Sequence, residues 1–251
     1  MHILLTNDDG IHALGLIQLA KAAVAAGHRV TVCAPDRERS AASHSLSITP
    51  ALRVQKAVVE GASGWAVDGT PVDCARLGVY LTRNEPVDLV ISGINRGPNL
   101  GGACIYSGTL NAAMEGAMAG RPALATSLCS FESKDYTAAA DITLRVAEWA
   151  VQHPLPRGVV YNLNVPALPR REIKGIFRTQ VLGPAFLTEA RYEHFHSEYR
   201  NDYYFLADGE NRMTFPKDCD EVKVGEGWAT LSALTWDIAY RGELDDSVPQ
   251  I

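Results

Sequence analysis

The chain has 251 residues, 47% of them hydrophobic and 21% charged, and its 23 basic and 29 acidic residues leave a net charge of −6. Such a composition can bury a sizeable core and excludes disordered, collagen-like and coiled-coil chains. No basic stripe exists, the densest cationic cluster being Arg170, Arg171 and Lys174, so duplex nucleic acid is not an expected partner and only a small, locally held anion stays open.

Ile3 to Thr6 is a short apolar run, as expected of a strand buried on both faces. Leu16, Leu19, Ala20, Ala23 and Val24 then share one helical face, with Gly27 as the stop. Arg29 to Ala34 reads as the next strand, completing a right-handed crossover unit. Thr70-Pro71-Val72-Asp73 supplies an N-cap, a first-turn proline and an acid at the third helical position, for a helix to about Arg83. Strands are predicted at Val87–Ser92, Ala123–Ser127 and Val159–Asn164, with helices at Thr109–Ala119 and Thr137–Val151 between them. The alternation predicts an α/β, doubly wound, Rossmann-like parallel sheet.

The last third differs, because Phe186, Tyr192, Phe195, Tyr199, Tyr203, Tyr204 and Phe205 crowd into residues 186–205. They fit either a hairpin laid over the core or an arm reaching another subunit. The expected organisation is one α/β unit over 1–251, with a site-bearing half at 1–130 and an aromatic hairpin and C-terminal extension at 184–251. The five cysteines are odd in number and lack C-x-x-C spacing, so they read as reduced, buried thiols. No apolar span of about 18 residues and no signal-type leader is visible, and a cytoplasmic location is expected.

Ligands of open parallel sheets bind beyond the carboxyl ends of the strands, and four loops there carry chemistry. Thr6-Asn7-Asp8-Asp9-Gly10 places two adjacent carboxylates at a strand end, where they repel unless a cation lies beside them or a helix start caps them. Residues 36–45 bring Arg37, Arg39, Ser40, Ser43, His44 and Ser45. Residues 92–102 bring Asn95 and Asn99 among glycines, and Ser107-Gly108-Thr109 opens a helix whose N–H groups can cradle an anion. Carboxylate, hydroxyl and amide oxygens form a hard donor set for Mg²⁺, Mn²⁺ or Ca²⁺. No Walker A, G-x-G-x-x-G, H-E-x-x-H or G-x-S-x-G motif occurs, which leaves metal-assisted hydrolysis of a phosphate ester.

TNDDG at 6–10, APDRERS at 34–40, DGTPVDC at 68–74, SGINRGPN at 92–99 and YSGTLNAAMEG at 106–116 together resemble the SurE family of stationary-phase survival proteins. Members act as metal-dependent nucleoside monophosphate phosphatases. The match keeps order and spacing to about residue 130 and continues more loosely through NLNVP at 162–166 and EGWATLSAL at 226–234. The resemblance implies a three-layer α/β/α sandwich, one divalent cation per subunit held by Asp8, Asp9, Ser40 and Asn95, and a homodimer or tetramer with exchanged C-terminal elements. It implies 5′- and 3′-nucleotide substrates, with short polyphosphate for some members. Ala103 stands where the family often has aspartate, and Asn111 where glycine or alanine is usual, both around the phosphate-side helix.

The expected phosphate and substrate contacts are Asn7, Ser43, Asn99, Ser107, Gly108 and Thr109, with Asp8 or Asp9 as the catalytic carboxylate and His44 as a general acid. Two rivals remain at this point. A signalling receiver also has an acidic pair after its first strand, but it needs an aspartate ending the third strand, where this chain has Ser92-Gly93. A non-catalytic nucleotide-binding protein would use the same cleft without turnover.

Overall fold

The structure, a computed structural model, describes residues 1–49, 51–184, 191–196, 202–207 and 214–237. Phe186, Tyr199 and the end of the expected extension lie outside these residues. In chain order the elements are β1 His2–Thr6, α1 Leu14–Ala25, β2 Arg29–Pro35, β3 Val54–Val59, β4 Ala62–Val67, α2 Pro71–Leu81, β5 Leu89–Arg96, α3 Gly108–Met118, β6 Ala123–Cys129, α4 Thr137–Gln152, β7 Val159–Pro166 and β8 Ile176–Arg178. They continue as β9 Arg191–His196, β10 Asp202–Ala207, α5 Asp220–Gly225 and β11 Ala229–Thr235.

Nine strands form one sheet in the order β3-β4-β2-β1-β5-β6-β7-β11-β8. The central β4-β2-β1-β5-β6-β7 block is parallel throughout, and the antiparallel pairs are β3 with β4 and β7 with β11. Alternate residues of a strand face opposite sides, so one buried run feeds two cores. Ile3, Leu5, Leu89 and Ile91 pack with Leu16 and Leu19 of α1 and with Ile142 and Val146 of α4. Leu4, Cys33 and Val90 pack on the other face with Cys74 of α2 and Leu110 and Met114 of α3. Two helices on each face give the expected three-layer sandwich.

The crossover strands and helices fall where the periodicity puts them, with ends shifted by one to four residues. Two features differ from the sequence expectation. The β3–β4 hairpin and strands β8 and β11 add an antiparallel edge on each side of the parallel block. The strand expected to end at Ser92 runs on to Arg96 through a register shift between Ser92 and Asn95. Such a bulge re-aims side chains near a site, and here it carries Asn95 and Arg96 past the end of β1 while they stay paired with Ser127 and Leu128 of β6.

The aromatic segment forms the β9–β10 hairpin, which among the described residues pairs only with itself. Tyr192, Phe195, Tyr203, Tyr204 and Phe205 are each at least half exposed. All five cysteines are unbonded and four of them are buried. Among the described residues no helix is long and apolar enough to cross a membrane.

The helix at 71–81 begins on a complete capping box: Thr70 Oγ1 accepts from the Asp73 N–H at 3.1 Å, and Asp73 Oδ2 accepts from the Thr70 N–H at 2.8 Å. Asp73 Oδ1 also accepts the Ser47 N–H, and these bonds hold its carboxyl below the usual range despite burial. Because the Thr70 hydroxyl also donates to the Ser45 carbonyl, Thr70→Ala is expected to cost about 1–2 kcal/mol in urea unfolding, and Thr70→Ser to retain most of it.

Candidate active site

β1 ends at Thr6, beside Ser92 of β5, and the chain turns at once into the acidic pair. Asn7 makes that turn: its Nδ2 donates to the Gly10 carbonyl at 2.9 Å, and its Oδ1 accepts the Gly10 N–H at 3.2 Å. Asn7 is wholly buried. It shapes the acidic turn rather than offering its amide to a ligand.

Asp8 is buried against the start of α3 and accepts a hydrogen bond from the Thr109 hydroxyl on Oδ1. Burial pushes its carboxyl up to about 6; the neighbouring Asp9 charge adds to the rise, and Thr109 opposes it. The approach of helix and carboxylate requires glycine at 108, where a Cβ would lie 2.9 Å from both Asp8 Cβ and Oδ2. Asp9 accepts the Arg96 N–H on Oδ2 at 2.9 Å, and burial raises its carboxyl as well.

The two other expected cation ligands sit one residue from backbone bonds to this pair. The Arg39 N–H donates to the Asp8 carbonyl at 2.7 Å, which brings Ser40 alongside. The Ser40 hydroxyl donates to Glu38 at 2.7 Å, so its oxygen lone pairs are still available. Asn95 follows the bulge, and its Nδ2 donates to the Gly97 carbonyl at 2.9 Å, which orients Oδ1 as the free acceptor. Two destabilised carboxylates, one amide oxygen and one hydroxyl oxygen fit a hard divalent cation. Among the described residues no group of three or more His, Cys, Asp or Glu could hold a metal ion, so a cation here depends on the neutral oxygens too.

The loop after β2 is strapped down along its length. Arg39 bonds Asp68 at 2.7 Å, which makes it a structural cation rather than an anion receptor. The Ser43 hydroxyl donates to the Ile105 carbonyl, and the Ser43 N–H donates to that of Tyr106. His44 Nε2 lies 2.8 Å from Glu115 Oε1, while Arg76 Nη1 donates to Glu115 Oε2 at 2.9 Å. Both expected contacts, Ser43 and His44, are therefore tied to α3 and the segment before it. Glu115 is buried and was not expected from the sequence, although the YSGTLNAAMEG motif contains it.

Asn99 is also a bracing residue. Its N–H donates to Asn164 Oδ1, its Nδ2 donates to Ser127, and its carbonyl accepts from Asn162 and Asn164. Ser107 caps α3 by accepting the Leu110 N–H at 2.9 Å. The Thr109 hydroxyl and N–H are both engaged by Asp8, which leaves the Gly108 N–H and the Ser107 O–H for an anion. Asn111 donates to the Ser107 carbonyl at 2.8 Å, so the unusual asparagine reinforces this helix start. Ala103 lies in the 3₁₀ turn over Gly101–Tyr106, which Asp220 fastens by accepting the Gly101 N–H.

Residues 3–186 match the family described as survival protein SurE. A 5′-nucleotidase SurE of Gloeobacter violaceus is 42% identical over 243 residues, covering 96% of this chain and 92% of that protein. A protein of the same name from a Synechococcus species is 41% identical over 254 residues, covering 97% and 92%. The crystal structure of the SurE protein from Aquifex aeolicus superposes with a TM-score of 0.79 at 33% identity, covering 95% of each chain.

The hydrogen bonds of Glu115 to His44 and Arg76 hold its carboxyl below the usual range although burial raises it. A depressed folded-state value contributes stability above the unfolded value, and that contribution disappears as pH falls through the folded value. Glu115→Gln should cost about 1–2 kcal/mol at pH 7, discounted for the half-exposed Arg76. The stability gap between wild type and variant in urea unfolding should begin to narrow as pH falls below the ordinary glutamate value of about 4.3 and keep narrowing with further acidification; a constant gap down to pH 3 would show that ionisation of Glu115 contributes nothing.

Proposed function

The chain belongs to the SurE family, and from that premise we propose that it is a metal-dependent 5′-nucleotidase, splitting nucleoside 5′-monophosphates into nucleoside and phosphate. The observation that carries this reading is Asp8 buried against the N-terminus of α3 with the half-buried Asp9 beside it, the Asp8 carboxyl being pushed up to about 6 by its surroundings. Such a site favours a cation beside the carboxylates and a phosphate beside the N–H groups.

Asp8, Asp9, Ser40 and Asn95 would hold one Mg²⁺ or Mn²⁺, which when bound polarises a phosphoryl oxygen and acidifies water. The α3 start at Ser107–Thr109 would receive the remaining phosphate oxygens on the Gly108 N–H and the Ser107 hydroxyl. Thr109 keeps Asp8 in place through its hydroxyl, and the Arg96 N–H does the same for Asp9. With His44 against Glu115, its proposed part is to hold the Ser40 loop to α3; a general-acid role for its ring requires that contact to open.

The reading extends to 3′-monophosphates and short polyphosphate, to a homodimer or tetramer and to a cytoplasmic setting. The exposed aromatic hairpin supports assembly with further copies of this chain, and the five unbonded cysteines accord with a reducing compartment.

Purified protein is expected to release phosphate from AMP with Mn²⁺ or Mg²⁺, to stop in EDTA and to recover on adding metal. Asp9→Asn should lower kcat/KM about 100-fold or more while circular dichroism and the unfolding midpoint stay near wild type. Nucleotide binding without phosphate release would favour a non-catalytic role, and an unchanged rate in Asp9→Asn would remove the aspartate pair from the chemistry.

A further inference from the structure

Two sides of the aspartate pair are built differently. On the Asp8 side the carboxylate is packed against the start of α3 and the backbone is bonded to the strapped loop. On the Asp9 side a recess of about 350 Å³ opens between the start of α1, the bulged end of β5 and the segment after β6. Its walls include Asp9, Leu14, Arg96, Phe131, Lys134 and Tyr136. The size falls in the range of small-molecule sites. Two larger hollows, of about 660 and 720 Å³, are lined by other residues and touch neither aspartate.

The lining of the recess narrows the ligand class. Phe131 is 70% exposed yet fixed in place, its ring lying on the Gly97 backbone so closely that a Cβ at 97 would be 2.3 Å from the ring. Leu14 is 47% exposed, while Tyr136 beside it is buried. Arg96 and Lys134 share this wall with Glu38 and Glu132, Arg96 lying 3.8 Å from Glu38, so the polar rim offers both donors and acceptors, and the Arg96 backbone already holds Asp9. A rigid, exposed aromatic face beside hydrogen-bonding groups suits a flat heteroaromatic ring, because stacking tolerates any base while the polar groups take its edge.

We infer that the recess takes the nucleobase of a nucleotide whose phosphate lies at the aspartate pair, with the base stacked on Phe131. The inference rests on the nucleotidase reading and adds the residue that separates nucleotides from other phosphomonoesters. Phe131 contributes to binding of the base and leaves the chemistry at the aspartates untouched.

Steady-state kinetics on AMP and on glycerol 2-phosphate, a phosphomonoester with no base, test it. Phe131→Ala should raise KM for AMP about tenfold, with kcat within about twofold, and leave glycerol 2-phosphate unaffected. Phe131→Trp should restore the AMP value. An unmoved KM for AMP, or a parallel loss on both substrates, overturns the proposal. Saturation-transfer NMR with AMP gives a second readout that needs no turnover. If wild type hydrolyses neither ester, the nucleotidase reading fails, and transfer to the adenine protons decides the recess alone: loss of transfer in Phe131→Ala supports it, and equal transfer overturns it.

Discussion

The burial of the Asp8 carboxylate against the first turn of α3 organises the site. A lone buried carboxylate costs several kcal/mol, and its surroundings return part of that energy, the carboxyl still being pushed up to about 6. They do so with a hydroxyl from Thr109, the N-terminal dipole of α3 and a glycine at 108 that lets the helix come within contact distance. The same residue's carbonyl takes the Arg39 N–H, which binds the Ser40 loop into the arrangement. Segments about thirty and a hundred residues downstream are thereby fixed to one position.

The sheet delivers the rest by register. Thr6 pairs with Ser92, so β5 runs four residues beyond the end of β1, and the bulge after Ser92 brings the Arg96 N–H onto Asp9 with Asn95 beside it. Behind this edge the loop after β5 stands on a buried amide network of Asn99, Asn162, Asn164 and Ser127. Such a network rigidifies when its members are paired, and here it sets the position from which the chain enters α3.

Much of this was legible in the sequence because it is local. Buried parallel strands read as apolar runs, and Thr70-Pro71-Val72-Asp73 declares its helix by capping chemistry that the structure reproduces bond for bond. The β3–β4 hairpin did not declare itself: β3 keeps Val54 and Val58 exposed and β4 mixes glycine and serine with its apolar residues, so neither shows a clean period. β8 has only three residues and is defined by pairing with β11. At the site, the Asp8–Asp9 pair stands out as hard donors at a strand end, whereas only the family resemblance singles out Ser40 and Asn95 among the loop hydroxyls and amides. The roles of Asn7, Asn99 and Thr109 could not be read, since an asparagine or threonine in a loop looks the same whether it faces a ligand or a buried partner. Thr109 meets Asp8 across 101 residues, and no local pattern encodes that contact.

The asymmetry of the aspartate pair explains how one chain can combine fixed chemistry with a chosen substrate. Changes on the Asp8 side meet packed atoms at once, as Gly108 illustrates, so that side has little freedom to alter without displacing the carboxylate. The Asp9 side is open, and Phe131 and Leu14 project there from segments that carry no part of the α3 contact. Substitutions among them alter the shape and polarity of the recess at small cost to the fold, because exposed positions away from caps and cores shift stability by only about 0.5 kcal/mol. Changes at the rim therefore leave Asp8, Thr109 and the start of α3 as they are.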